Sequence, residues 1–136
     1  MLELNPSVIG MITEYKCMIF LLEQGWNVLV PQGNYTKYDL VIEKNNKFYR
    51  IQCKHASQRD ETGFLVSTKY YIRGTTQKQR YTEEDCDYFM TEFNGKFYIF
   101  PNFGTVETKF WTVPPKRNSN CKIAQDFLAE NILKTL

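Results

Sequence analysis

The sequence predicts a mixed α/β (α+β) domain, and three observations carry that expectation. A long helix-compatible stretch lies near the N-terminus, two β-rich hairpins follow, and an amphipathic segment closes the chain. At 136 residues the chain can bury one core but not two independent ones, so a single domain over 1–136 is expected. Apolar residues at 43% and charged residues at 24% match globular averages, which argues against disorder. The longest apolar run, Cys17 to Leu22, falls far short of the roughly 20 residues needed to cross a bilayer, so no membrane partner is expected. The first residues have neither the basic start nor the apolar stretch of a signal peptide, which predicts a cytoplasmic, nucleoid-associated location.

The elements follow in order. Asn5-Pro6-Ser7 supplies side-chain acceptors for unpaired first-turn amides, and Gly25 supplies a stop, so a helix is expected up to Gln24. Ile12, Tyr15, Ile19 and Leu22 recur at helical spacing and mark its expected buried stripe. Trp26 to Val30 reads as a short strand ended by Pro31, before a loop containing Gln32-Gly33-Asn34. A polar loop is expected from Ala56 to Thr62, a strand from Gly63 to Ser67, and an exposed segment from Lys69 to Thr82. Asp87 to Phe93 and Lys96 to Phe100 flank Asn94-Gly95, the clearest hairpin signal in the chain. Phe110 to Val113 predicts an edge strand, and Ile123, Ala124, Phe127, Leu128 and Ile132 predict a closing amphipathic helix from Ser119. The four cysteines, Cys17, Cys53, Cys86 and Cys121, lie more than 30 residues apart without zinc-site spacing, and are read as largely buried thiols.

The segment from Tyr38 to Lys54 is the most informative. Two β-rich runs surround Asn45-Asn46, and Asn tolerates the positive φ of a two-residue type I′ turn. Such a turn sets the register: Leu40 faces Ile51 and Ile42 faces Tyr49 on one apolar side. Asp39 then lies opposite Gln52 on the other side, with Lys54 pointing the same way as Gln52.

This grouping has a chemical use. Phosphodiester hydrolysis needs charge neutralised on the phosphate, a water made nucleophilic and support for the leaving oxygen; a hard divalent ion held by oxygen ligands addresses all three. Asp39 offers an anionic ligand, Gln52 a neutral carbonyl oxygen, and Cys53 its backbone carbonyl. Lys54 can orient the attacking water or stabilise the transition state. Taken singly, such residues are more often turn or solvent-facing groups; their combination is what points to a site. Glu14 lies among Met11, Met18 and Leu21 on one helix side, where a carboxylate is costly unless it meets a cation or reaches solvent at the rim.

The order of parts resembles the PD-(D/E)XK nuclease superfamily: a helical Glu14, then Tyr38-Asp39, then Gln52-Cys53-Lys54 on the next strand. Gly10-x3-Glu14, Gly25-Trp26-x-Val28, Tyr38-Asp39-Leu40-Val41, Ile51-Gln52-Cys53-Lys54, Cys86-Asp87-Tyr88-Phe89 and Tyr98-Ile99-Phe100-Pro101 look more narrowly like its group I intron-encoded homing endonucleases. The resemblance implies a restriction-endonuclease-like core, with a central mixed sheet flanked by helices. It also implies Mg2+- or Mn2+-dependent double-strand cleavage of a long specific DNA target, and Glu14, Asp39, Gln52 and Lys54 as catalytic residues. Glu14 would join Asp39, Gln52 and the Cys53 carbonyl around the metal, directly or through water. Two departures stand out: Tyr38 replaces the superfamily's Pro, and Gln52 replaces an acidic residue, although the intron-encoded group is known for Gln there.

Charge is uneven along the chain. Lys47 to Arg80 holds eight basic and two acidic residues, a net +6, against a total of +2, which leaves −4 for the remainder. Lys69, Arg73, Lys78 and Arg80 in segment 69–82 are therefore candidate DNA contacts, and Tyr70 and Tyr71 are either core or interface aromatics. His55 follows Lys54 but should point to the opposite strand face, as a structural or phosphate-contacting group. One active site cuts one strand, so double-strand cleavage implies a homo-oligomer, at least a dimer; the resemblance is compatible with a tetramer. The competing readings are a Holliday junction resolvase or restriction-type nuclease of the same fold, and a non-catalytic DNA-binding module.

Overall fold

The computed structural model describes residues 3–33, 35–72, 74–116 and 120–136. Asn34, Arg73 and Ser119 therefore lie outside the described residues. Helix α1 (Pro6–Glu23) begins where the Asn5 side chain accepts a 2.8 Å hydrogen bond from the Ser7 N–H, with Pro6 placed where no amide is needed. It ends at Gly25, whose φ of +87° is a conformation glycine adopts without strain.

The buried face of α1 differs from the expected one. Thr13, Cys17 and Leu21 are buried, whereas Tyr15, Ile19 and Leu22 are 57%, 57% and 56% exposed and Ile12 is 38% exposed. Both sides of this helix are apolar, so periodicity marks two candidate faces and does not choose between them. The side with smaller residues, Thr13 and Cys17, is the one packed on the sheet.

The strands among the described residues are β1 (Asn27–Leu29), β2 (Leu40–Lys44), β3 (Lys47–Cys53), β4 (Ala56–Asp60), β5 (Gly63–Ser67), β6 (Lys69–Tyr71), β7 (Lys78–Arg80), β8 (Tyr88–Phe93), β9 (Lys96–Phe100), β10 (Glu107–Trp111) and β11 (Lys122–Ile123). A five-stranded mixed sheet has the order β1-β2-β3-β8-β9, antiparallel except where β3 runs parallel to β8. The β2–β3 turn adopts the expected geometry, with Asn45 and Asn46 at φ 54° and 65°, and pairs Leu40 with Ile51 and Ile42 with Tyr49. Asn94 and Gly95, at φ 51° and 79°, turn the β8–β9 hairpin in the same way.

Each face of this sheet is covered differently. On one side α1 packs Cys17 and Leu21 against Leu40, Ile42, Ile51 and Met90. On the other, Phe89, Tyr98 and Phe100 meet Phe64, Val66 and Phe110 of a second sheet, ordered β11-β10-β5-β4. The chain passes from one sheet to the other between Cys53 and Ala56. Cys17, Cys53 and Cys86 are buried thiols, as expected.

Four sequence expectations are corrected by this second layer. Residues 56–60 form β4 rather than a loop, because the polar Ser57, Gln58 and Arg59 tolerate an exposed edge while ladder bonds to β5 satisfy the backbone. Within the segment expected to be merely exposed, Lys69–Tyr71 and Lys78–Arg80 form a two-stranded ribbon, β6 with β7. The β10 strand is interior, between β11 and β5. The expected closing helix is broken into 3-10 turns at Ala124–Phe127 and Leu133–Thr135 around a one-turn helix α2 (Ala129–Ile132). Leu128 causes the break, since it is extended (ψ 126°) and bridges to Tyr98 at the sheet edge.

One polar joint fastens the parallel β3–β8 pair. The Asp87 carboxylate accepts from the Arg50 N–H at 2.7 Å and from its guanidinium at 3.0 Å, and Arg50 also donates to the Glu83 and Glu84 carbonyls.

Candidate active site

Asp39 stands one residue before β2 and is held by β3 at two points. Its N–H donates to the Ile51 carbonyl at 2.9 Å, and its Oδ2 accepts from the Cys53 N–H at 2.8 Å. The Gln52 side-chain amide donates to the Cys53 carbonyl at 3.3 Å. Asp39, Gln52 and the Cys53 backbone therefore converge, as the hairpin register required.

Glu14 reaches the same place from α1. Glu14 and Asp39 line one cleft of about 400 Å³, walled by Val30, Pro31, Thr36 and Tyr38. Burial, then the Asp39 charge, raises the Glu14 carboxyl above its ordinary value. Burial also raises Asp39, against the opposing effects of the Cys53 N–H and the Lys54 charge. Two carboxylates that repel one another in a partly desolvated cleft disfavour their own ionised forms, and a cation between them would relieve this.

Lys54 follows the end of β3 and extends the parallel ladder by donating its N–H to the Met90 carbonyl at 2.9 Å. Its Nζ donates to the Lys69 carbonyl at 3.3 Å and lies 4.8 Å from the centre of the Tyr81 ring. Burial lowers its pKa, while Asp39 and then Cys86 oppose that shift. The ammonium thus sits in the field of the Asp39 carboxylate.

The donors suit a hard divalent cation. Among the described residues no three His, Cys, Asp or Glu side chains gather as a metal site. Glu14 and Asp39 bring two carboxylates to one cleft, and oxygen donors of that kind are the chemistry Mg2+ accepts.

His55 is exposed and shares a 3.3 Å hydrogen bond with Thr13 Oγ1, so it ties the passage between the sheets to α1. On the ribbon, Lys69 pairs with Arg80 and Tyr71 with Lys78. Strand alternation puts these four on one face and Tyr70 with Gln79 on the other. Arg80 also donates to the Gly104 carbonyl at 3.2 Å. Tyr71 is exposed, whereas Tyr70 packs on the second core beside the buried Tyr81. Tyr81 was not a sequence candidate: it sits in a polar stretch without apolar period, and its place beside Lys54 depends on a contact between residues 27 apart.

The family model described as PD-(D/E)XK endonuclease matches residues 4–129. No curated protein matches the chain. Among solved structures, a bacterial homing endonuclease, I-Ssp6803I, superposes with a TM-score of 0.76 at 19% identity, over 96% of this chain and 93% of that one. At that identity the likeness concerns the fold, while the family match covers nearly all of the sequence, and the chain therefore belongs to the PD-(D/E)XK endonuclease family.

Proposed function

We propose that this chain is a site-specific DNA endonuclease of the homing type, which hydrolyses phosphodiester bonds with Mg2+ or Mn2+ and makes double-strand breaks. The observation that carries the reading is the meeting of Glu14 and Asp39 in one cleft, with Gln52, the Cys53 carbonyl and Lys54 on the adjoining strand. Asp39, Gln52 and the Cys53 carbonyl are the metal donors in this reading, with Glu14 joining directly or through water. When bound, the ion polarises the phosphate and supplies an activated water. Asp39 fixes the donor set to β3, and Lys54 presents positive charge beside it for the attacking water or the developing phosphorane charge. The homing assignment draws on the likeness to I-Ssp6803I and on Gln52 at the position that is acidic elsewhere in the superfamily.

Double-stranded DNA is the proposed partner, met by Lys69, Lys78 and Arg80 on the outer face of the ribbon and also by Arg73. The place of action is then the cytoplasm, at the nucleoid. Cutting both strands calls for at least two copies, with a tetramer compatible with the family. Helix α1 offers a surface for the second copy. Val8, Met11, Ile12, Tyr15, Ile19 and Leu22 form an exposed apolar stripe, between 38% and 57% exposed, opposite the buried Thr13, Cys17 and Leu21.

The experiment is cleavage of long duplex DNA carrying candidate insertion sites, with and without Mg2+, by wild type and Lys54→Ala. Metal-dependent cutting lost in the variant supports the reading. Cutting of four-way junctions of unrelated sequence would instead indicate a resolvase. The neutrality of Gln52 favours one other reading, a non-catalytic DNA-binding module. Binding without cleavage under any divalent metal would establish that alternative.

A further inference from the structure

We infer that Tyr81 is a positioning residue for Lys54, its ring and the Lys69 carbonyl forming a rigid seat that fixes the ammonium beside Asp39; the role rests on the nuclease reading above. Lysine has four rotatable side-chain bonds, and a group that acts on a reacting phosphate must be held within about half an ångström of its productive place. Two contacts restrain this one. Nζ donates to the Lys69 carbonyl at 3.3 Å, and it lies 4.8 Å from the Tyr81 ring centre, within reach of the negative π face.

The ring is itself immobilised. Tyr81 is 6% exposed and meets Tyr70 at 4.9 Å and 67° and Phe89 at 5.2 Å and 86°, so two steeply inclined neighbours set its plane. The Asn102 side chain donates to the Tyr81 carbonyl and pins its backbone. Behind it, Lys37 Nζ lies 4.0 Å from the Tyr70 ring centre, so the tyrosine pair carries a cation at each end. Lys69 and Tyr70 belong to β6, the ribbon strand proposed to meet DNA. The seat and the binding ribbon are thus parts of one segment, and DNA engaging the ribbon bears directly on the group holding Lys54.

A wholly structural Tyr81 would serve the core equally well if Lys54 pointed elsewhere. The two roles separate by keeping or removing the π face. Single-turnover cleavage and DNA affinity are measured on the full chain for wild type, Tyr81→Phe and Tyr81→Leu with Mg2+, alongside the proton shifts of the Lys54 ε-methylene. Tyr81→Leu should lower the cleavage rate on the order of tenfold with DNA affinity unchanged, and Tyr81→Phe should recover it to within about twofold. The ε-methylene protons should be shifted upfield by the ring in wild type and Tyr81→Phe, and not in Tyr81→Leu. If the leucine variant does not fold, Tyr81→Met fills the volume without a π face. Wild-type rates in the leucine or methionine variant, equal losses in the phenylalanine one, or no upfield shift in wild type would overturn the role. A wild type that never cuts removes the nuclease reading and this role with it, whatever the methylene shift; a cutting wild type matched by its leucine variant removes only the role.

Discussion

The Asp39 carboxylate and the Cys53 backbone are joined by a 2.8 Å hydrogen bond, in which Oδ2 accepts from the N–H that separates Gln52 from Lys54. The acid on one strand is therefore set in place by the backbone that carries the other two groups. Hairpin geometry and site geometry are one constraint here, and both can be tested through Asp39.

Asp39→Asn keeps an acceptor for the Cys53 N–H and removes the charge. Cleavage should fall by at least about a hundredfold, since the anionic metal ligand is lost. Because burial raises the Asp39 carboxyl, ionising it works against the fold: that contribution is present below the unfolded pKa and lost as pH rises through the folded one. The metal-free variant should thus melt no lower than wild type near pH 7. Added Mn2+ should raise the melting temperature of wild type and not of the variant; a Mn2+ shift preserved in the variant would exclude Asp39 as a ligand.

The pH profile follows from the same two acids. Glu14, raised by burial and by Asp39, and Asp39, raised by burial, both keep their protons to higher pH than exposed carboxyls. Cleavage at fixed Mg2+ should decline on the acid side sooner than ordinary carboxylates would allow. Increasing Mg2+ should move the midpoint to lower pH, because metal and protons compete for the same oxygens. A midpoint independent of Mg2+ would count against these ligands.

Arg50 and Asp87 make a stability prediction with the opposite sign. Burial opposes ionisation of Asp87, but the side-chain and backbone hydrogen bonds from Arg50 outweigh it and hold the carboxyl below its usual range. Its contribution is present above the unfolded value of about 3.9 and lost as pH falls through the folded one. Asp87→Asn should cost about 1–2 kcal/mol at pH 7 by urea unfolding, a figure reduced because the pair is one-third exposed, and the gap should close at acid pH.

The ribbon should act through phosphate contacts. Lys78→Ala should weaken binding to specific and unrelated duplexes alike and reduce the slope of log affinity against log salt by about one. Loss confined to one target sequence would indicate base readout instead.

Helix α1 makes a prediction about mass. Tyr15→Glu with Ile19→Glu places charge in the exposed stripe and leaves the buried Thr13, Cys17 and Leu21 untouched. Sedimentation should show wild type as an oligomer and the double variant as a monomer, with nicks replacing double-strand breaks. A monomeric wild type would reject the stripe as a self-contact.

Much of the site was legible because it is local. The Asn45-Asn46 turn fixes the register between two adjacent strands, and that places Leu40 on Ile51 and Asp39 beside Gln52 and Cys53 without any long-range information. Glu14 needed the family pattern, since its nearness to Asp39 depends on how α1 crosses the sheet. The stripe at Ile12, Tyr15, Ile19 and Leu22 misled because a helix apolar on both sides has two valid faces. Strand β4 was hidden by its polarity, which an edge strand permits, and the closing helix was overextended because Leu128 gains a bridge to Tyr98 by leaving helical geometry. Tyr81 was invisible for the same reason that makes it informative: its partner Lys54 is remote in sequence.

Gln52 sets the charge balance of the site. With Glu14 and Asp39 ionised and Lys54 protonated, the cluster carries a net charge of about −1, and a single divalent ion turns that to about +1. A phosphodiester bearing one negative charge then brings the assembly to neutrality. An acidic residue at position 52 would leave the loaded cluster neutral before DNA arrived, and the phosphate would meet no net attraction there. On the proposed nuclease reading, a neutral amide at position 52 would thus exchange some hold on the cation for an electrostatic pull on the phosphate to be cut.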